Sequence, residues 1–161
     1  MEGFKVWDND RKLYTCSKGY FDNFDEEIEF VINQNGKLLM VTTLEDPSGD
    51  ILMDIRYAPS KYATVKYTGM RDSNCSKIYN GSIVRYAYIN SHHYNDNDEL
   101  EISDDEWSTA EVVWCGNSDY PAFDLKTHAF DCNALAYIKQ SGKYQIEVVG
   151  CVYTTPHLVK I

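Results

Sequence analysis

"YTGMRDSNCSKIYNGSIVRY", residues 67–86, decides how the rest of the chain is read. Tyr67 and Thr68 end an extended run. Gly69 then opens backbone conformations that other residues resist. Arg71-Asp72-Ser73-Asn74 is turn chemistry, with short polar side chains that bond nearby backbone groups. "KIYNGSIVRY" follows, with Ile78, Ile83 and Tyr86 spaced about an Asn80-Gly81 corner that also admits a hairpin. A glycine directly before an Ile-Val pair suits a strand that swings into a curved barrel, where a Cβ would collide with the neighbouring strand. Cys75, Lys77 and Ser82 carry no pattern that would make a nucleophile and a base converge. The stretch reads as punctuation for a β fold, with Gly69, Asn80 and Gly81 as its structural turn residues.

Working outward, strand-like runs dominate on both sides. "EIEFVI" (27–32), "KLLMVTTL" (37–44), "ILMDIRY" (51–57) and "YATVKY" (62–67) are short and rich in aliphatic and aromatic residues. Asn35-Gly36 supplies the positive φ of a tight hairpin between the first two. "EDPSGD" (45–50) is a second turn cluster. Downstream come "IVRYAYI" (83–89), "AEVVW" (110–114), "AFDL" (122–125) and "YQIEVVGCVY" (144–153), while "HAFDCNALAYIKQ" (128–140) fits one or two helical turns or a strand. The thirteen tyrosines favour strands. "NSHHYNDNDELEISDDEWS" (90–108) is polar and aperiodic, and reads as a long, partly mobile loop.

The net charge of −10 is concentrated rather than spread. From Tyr86 to Leu125 there is no Lys or Arg, yet ten of the 25 acids lie there: Asp96, Asp98, Glu99, Glu101, Asp104, Asp105, Glu106, Glu111, Asp119 and Asp124. The other 15 acids balance the 15 basic residues. An acidic block repels phosphates and attracts basic surfaces, or else merely solvates a loop. No apolar run approaches the ~18 residues needed to span a bilayer. "MEGFKVWDND" has neither the basic nor the apolar region of a secretion signal, so a cytoplasmic location is expected, without membrane contact. Cys16, Cys75, Cys115, Cys132 and Cys151 make an odd number without a C-x-x-C pair, which fits free thiols in a reducing compartment.

With these motifs in place, residues 67–86 resemble the YopX-like family of phage and prophage proteins, whose members show Y-T-G-L-x-D-x-N-G-K-x-I-Y-E-G-D-I-V. The start "FKVWDNDRKLY" is similar to the family's F-R-A-W-D opening, and "EVVGCVYTTPHL" is similar to its closing E-V-I-G-N-I-Y-E-N-P-E-L. "AEVVW" followed by "PAFDL" matches the intervening strand pair, whereas residues 15–60 add little. The resemblance implies a mainly β fold, with a small SH3-like barrel over 67–161 and an N-terminal β-rich (α+β) elaboration over 1–66. It implies a phage or integrated-element origin and frequent oligomers, with no catalytic residues to carry over. The sequence departs from the family at Asn74-Cys75, where the family has Asn-Gly, and at Asn80 and Ser82, where it has acids. Residues 90–109 are long for the connection, so the acidic insertion belongs to this protein.

Residue patterns for chemistry fail one by one. "DNDELEISDDE" puts Leu100 at the third ligand position of a calcium loop and Glu101 where glycine must turn the chain. His92 and His93 are adjacent, and on a strand would face opposite ways; His128 and His157 stand alone. Zinc-site spacing is absent. Paired carboxylates are cheap to propose among 25 acids. Nucleotide and hydrolase signatures are missing. Trp7 and Trp114 read as core. Trp107 reads equally as an interface anchor or as a residue tucking the acidic loop against the barrel.

The sequence therefore leads to a non-enzymatic phage accessory protein without metal or cofactor that acts by protein–protein contact. Its partner-binding residues would be Asp96, Asp98, Glu99, Glu101, Asp104, Asp105, Glu106 and Trp107, and its partner a basic host or phage protein. A DNA-mimicking inhibitor of a host nucleic-acid-binding or defence protein is the sharper version. Nucleic acid itself is not expected as the partner. The rival reading is a nucleic-acid-binding barrel in phage replication or transcription, with Lys61, Lys66, Arg71, Lys77 and Arg85 as its patch. A homo-oligomer is expected where barrel edges are open.

Overall fold

The computed structural model describes residues 4–15, 18–19, 27–35, 37–115, 122–126 and 133–158. The chain is mainly β, with one α-helix among these residues, and divides into two compact units, Met1–Lys66 and Tyr67–Ile161. The strands are β1 (Phe4–Asp8), β2 (Leu13–Thr15), β3 (Lys18–Gly19), β4 (Glu27–Ile32), β5 (Leu38–Glu45), β6 (Ile51–Tyr57), β7 (Tyr62–Arg71), β8 (Lys77–Tyr79), β9 (Ser82–Tyr88), β10 (Ser108–Trp114), β11 (Phe123–Leu125) and β12 (Tyr144–Cys151). The helix is α1 (Ala134–Gln140).

In the first unit β1 runs antiparallel to β2 on one side and to the first half of β7 on the other, from Phe4 opposite Lys66 to Asp8 opposite Tyr62. A second sheet has the order β3-β4-β5-β6. Alternation puts Phe30 of β4 opposite Met40 of β5, and both bury against Val6 and the half-buried Tyr62. The rings of Phe30 and Tyr62 meet edge-on at 4.8 Å. Trp7 is buried, as its sequence suggested, with its ring 5.0 Å from that of Tyr14. Asn33 and Lys37 close the β4–β5 connection through a backbone bond of 2.9 Å; Gly36 lies outside the described residues.

The second unit is built about β9, which pairs antiparallel with β10 on one side and β12 on the other, in the order β11-β10-β9-β12. Its core gathers Ile78, Val84, Ala110, Val112, Leu125, Leu135, Ile138 and Ile146. Burying each of the Ile, Leu and Val side chains among them contributes about 1.5–3 kcal/mol. Leu135 and Ile138 stand three apart on α1, so one helical face meets the sheet. The helix begins where Asp124, itself buried, accepts the amides of Asn133 and Leu135 at 2.9 Å each.

Three expectations change. The barrel does not close, since the described β11 and β12 have no pairing with each other. The Asn80-Gly81 corner is not a hairpin: β8 pairs with β7, while β9 pairs with β10 and β12. It is a corner between sheets, and Gly81 has φ +80° with Val152 and Tyr153 side-chain atoms 3.2 and 3.1 Å from where a Cβ would stand. Trp114 is 47% exposed rather than core, with its ring 4.7 Å from that of Phe123. Gly69 also has positive φ, +85°, but in open space.

Candidate functional site

The acidic segment between β9 and β10 is held by hydrogen bonds rather than by apolar packing, so the partly mobile loop expected of its composition is a built structure. Asn90 starts a single 3-10 turn (Ser91–His93): its side-chain oxygen accepts the His92 amide at 2.9 Å. That turn carries the ring of His93 inward until it is only 8% exposed. There its Nδ1 accepts the Asn90 amide at 3.1 Å, which leaves the proton on Nε2, and Nε2 donates to Glu106 Oε1 at 2.8 Å. The other oxygen of Glu106 accepts the Ser103 amide at 3.1 Å, closing a second 3-10 turn (Asp104–Glu106). The His93 bond, followed by the Ser103 amide, holds the Glu106 carboxyl below its ordinary pKa. Thus His93 and Glu106 tie the two ends of the loop.

Between those ends Tyr94 bridges Leu100 antiparallel. Asn95 occupies the centre: its Oδ1 accepts the amides of Asn97 and Glu99 at 2.9 and 3.0 Å, and its Nδ2 donates to Glu101 Oε1 at 2.9 Å. Asp98 turns the chain with φ 60°, a left-handed conformation that Asp tolerates better than most residues. Asn90, His92, Tyr94, Asn95, Glu101 and Glu106 are among the residues that line an open cleft of ≈ 600 Å³.

Of the residues singled out from sequence, Asp96, Asp98, Asp104 and Asp105 are exposed, and their carboxylates make no bond to the described residues. Glu99, Glu101 and Glu106 are exposed but each accepts an internal bond, Glu99 from Asn95 Nδ2 at 3.2 Å. Trp107 is half-buried under the guanidinium of Arg85, 4.3 Å from its ring centre, and Arg85 in turn binds Glu147 at 2.7 Å. That stack tethers the C-terminal end of the loop to β9. Asp119 lies outside the described residues.

Three of the residues proposed as a nucleic-acid patch have local partners. Lys61 approaches Asp10 at 3.7 Å, Arg71 bonds the Cys75 carbonyl at 2.6 Å, and Lys77 lies 5.6 Å from the Tyr67 ring centre. Among the described residues no three His, Cys, Asp or Glu side chains converge as metal ligands would. Cys75 is exposed, and Cys115 and Cys151 are half-buried; Cys16, Cys132 and His128 lie outside the described residues. No helix among the described residues is long and apolar enough to cross a membrane.

Sequence reasoning placed Asp72 in a turn, as the structure has it, but missed its reach to another strand and passed over the other residues that organise the turns. Asp72 is buried, with Oδ1 accepting the amides of Asn74 and Ser76 and Oδ2 reaching Val148 of β12 at 2.9 Å. Asp8 is buried, and its Oδ1 accepts the amides of Asp10 and Arg11. His93 and Asn95 belong with them. A signal was present: Asp, Asn or Ser two residues before another polar residue is the spacing of an Asx turn.

Compared with known proteins, residues 3–160 match the family model described as YopX protein. No curated protein matches. Among solved structures, the crystal structure of protein EF1440 from Enterococcus faecalis superposes with a TM-score of 0.51 at 15% identity, covering 98% of this chain and 97% of that one. At that identity the likeness concerns the fold.

Proposed function

The chain belongs to the YopX family, and we propose that this member is a non-enzymatic phage or prophage accessory protein that captures a basic protein surface with its acidic loop. One observation carries the reading. Asp96, Asp98, Asp104 and Asp105 present unbonded carboxylates on a loop whose backbone is already ordered by His93, Asn95 and Glu106. A preorganised loop avoids much of the ordering cost of association. Charges that need no release from internal partners speed encounter with a cationic surface. The cleft bounded by Tyr94, Glu101 and Glu106 suits a lysine or arginine side chain of that partner. A host nucleic-acid-binding or defence protein, whose phosphate-binding face is basic, is the kind of partner this charge pattern fits.

The test is capture from bacterial lysate at low and high salt, read by mass spectrometry. The wild type is run beside a variant carrying Asp96→Asn, Asp98→Asn, Asp104→Asn and Asp105→Asn. None of these carboxylates holds the loop together, so the fold is retained. The expected result is a basic protein captured at low salt, lost at high salt and lost from the variant. Equal capture by both chains would sink the reading.

A further inference from the structure

β6 is the outermost strand in the order β3-β4-β5-β6, paired along all seven residues with β5 and, among the described residues, with nothing on its other side. All seven residues are exposed. Ile51, Met53, Ile55 and Tyr57 are 71, 64, 58 and 63% exposed, and by alternation they share one face of the sheet. On that face they continue onto Leu39 and Val41 of β5, which stand opposite Tyr57 and Ile55. Proteins usually blunt such an edge with proline, lysine, a bulge or a very short strand. β6 has none of these, its only charges being Asp54 and Arg56 of opposite sign, and its pairing to β5 runs without a register shift. An apolar patch of this kind on an open edge marks an interaction surface.

We propose that β6 is a self-association seam: two copies of the chain pair their β6 strands antiparallel about a twofold axis at Ile55, joining two four-stranded sheets into one. The occupant is identified by charge. A twofold axis normal to the sheet makes the seam self-complementary, so the central residue fixes every pair. Centred on Ile55, each Asp54 faces Arg56 of the second copy, each Met53 faces Tyr57, and Ile55 meets itself. Centred on Asp54, two carboxylates would face each other at the middle. Centred on Met53, Asp54 would face the apolar Leu52, and Arg56 would face Asp50, which lies outside the strand, so that attraction falls beyond the ladder. Opposite charges across a strand pair stabilise and like charges destabilise, so the Ile55 register wins. Within one copy Arg56 Nε already lies 3.7 Å from Asp54 Oδ2, on side chains 60 and 62% exposed. The seam would gather both pairs into a row of alternating charge.

Sedimentation velocity over a wide concentration series on the full chain tests this, with far-UV circular dichroism to verify the fold of each variant. The wild type is expected to form dimers or multiples of them, and Ile55→Asp to remove that association. Asp54→Lys is expected to weaken association by about 10- to 100-fold, since it turns two attractive pairs into repulsive ones. Combining Asp54→Lys with Arg56→Asp is expected to restore association. A wild type that stays monomeric throughout overturns the proposal, as do variants that associate as strongly as the wild type. Failure of the charge-swapped double variant to recover overturns the register. Lysate capture by the acidic loop is independent of all these outcomes.

Discussion

β6 and residues 90–107 invert each other. β6 is seven residues of strand-forming sequence, and every one is exposed. Residues 90–107 are polar and aperiodic, yet they bury His93 and hold their own backbone in two 3-10 turns and a bridge. Apolar character says what a residue gains from being covered; it does not say that the chain has anything left to cover it with. Polar side chains of the right length need no core, because Asn90, Asn95 and Glu106 satisfy neighbouring amides directly.

The strongest way to break this comparison is His93→Ala. It removes the acceptor of the part-buried Asn90 amide bond, at a local cost of about 2 kcal/mol, and the donor to Glu106 Oε1. Hydrogen exchange at the Glu101 amide, which donates to the His93 carbonyl at 2.7 Å, is expected to accelerate accordingly. Unchanged protection there would mean that the loop's order rests elsewhere. Asn95→Ala removes the acceptor of two amides and is expected to cost about 1–2 kcal/mol, read as faster exchange at Asn97 and Glu99.

Cys75 sets a scale outside both regions. It holds φ 65°, where a Cβ costs about 1–2 kcal/mol, so Cys75→Gly is expected to raise thermal stability by about 1 kcal/mol net of the unfolded chain's greater freedom. A lowered melting temperature would refute that. Acid sharpens the loop side. The folded-state pKa of Glu106 is depressed, so its contribution is present above the unfolded carboxylate range. That contribution is lost as pH falls through the lowered value. Loop protection is expected to fall over that window in the wild type and to lose this step in Glu106→Gln, as followed by amide exchange at Ser103. The smallest effect belongs to β6: Leu52→Thr, 55% exposed in the wild type, is expected to change monomer stability by no more than about 0.5 kcal/mol in dilute solution.

Much of the fold was legible. Nearly every alternating run between Glu27 and Cys151 is a strand within a residue or two, because period-two apolar patterning is local information. The corner at Gly81 was legible for the same reason, since a positive φ beside a crowded neighbour leaves few residues but glycine. Trp114 was misread, because one ring contact, with Phe123, does not cover a side chain of that size. The acidic residues were found as a cluster, but their sorting was not: Asp104 is unbonded while Glu106, two residues on, is tied to His93.

By itself the sequence determined where strands begin and end, where glycine must turn the chain, where negative charge accumulates and to which family the chain belongs. Each of these depends on residues close together in the chain or on composition. Only the tertiary structure decided which strand became the uncovered edge, that Asp72 reaches across to Val148, and that His93 joins Glu106. Those facts depend on which distant segments meet. A side chain's length and polarity state what it can bond, whereas its partner is chosen by the packing that brings two parts of the chain within about 3 Å.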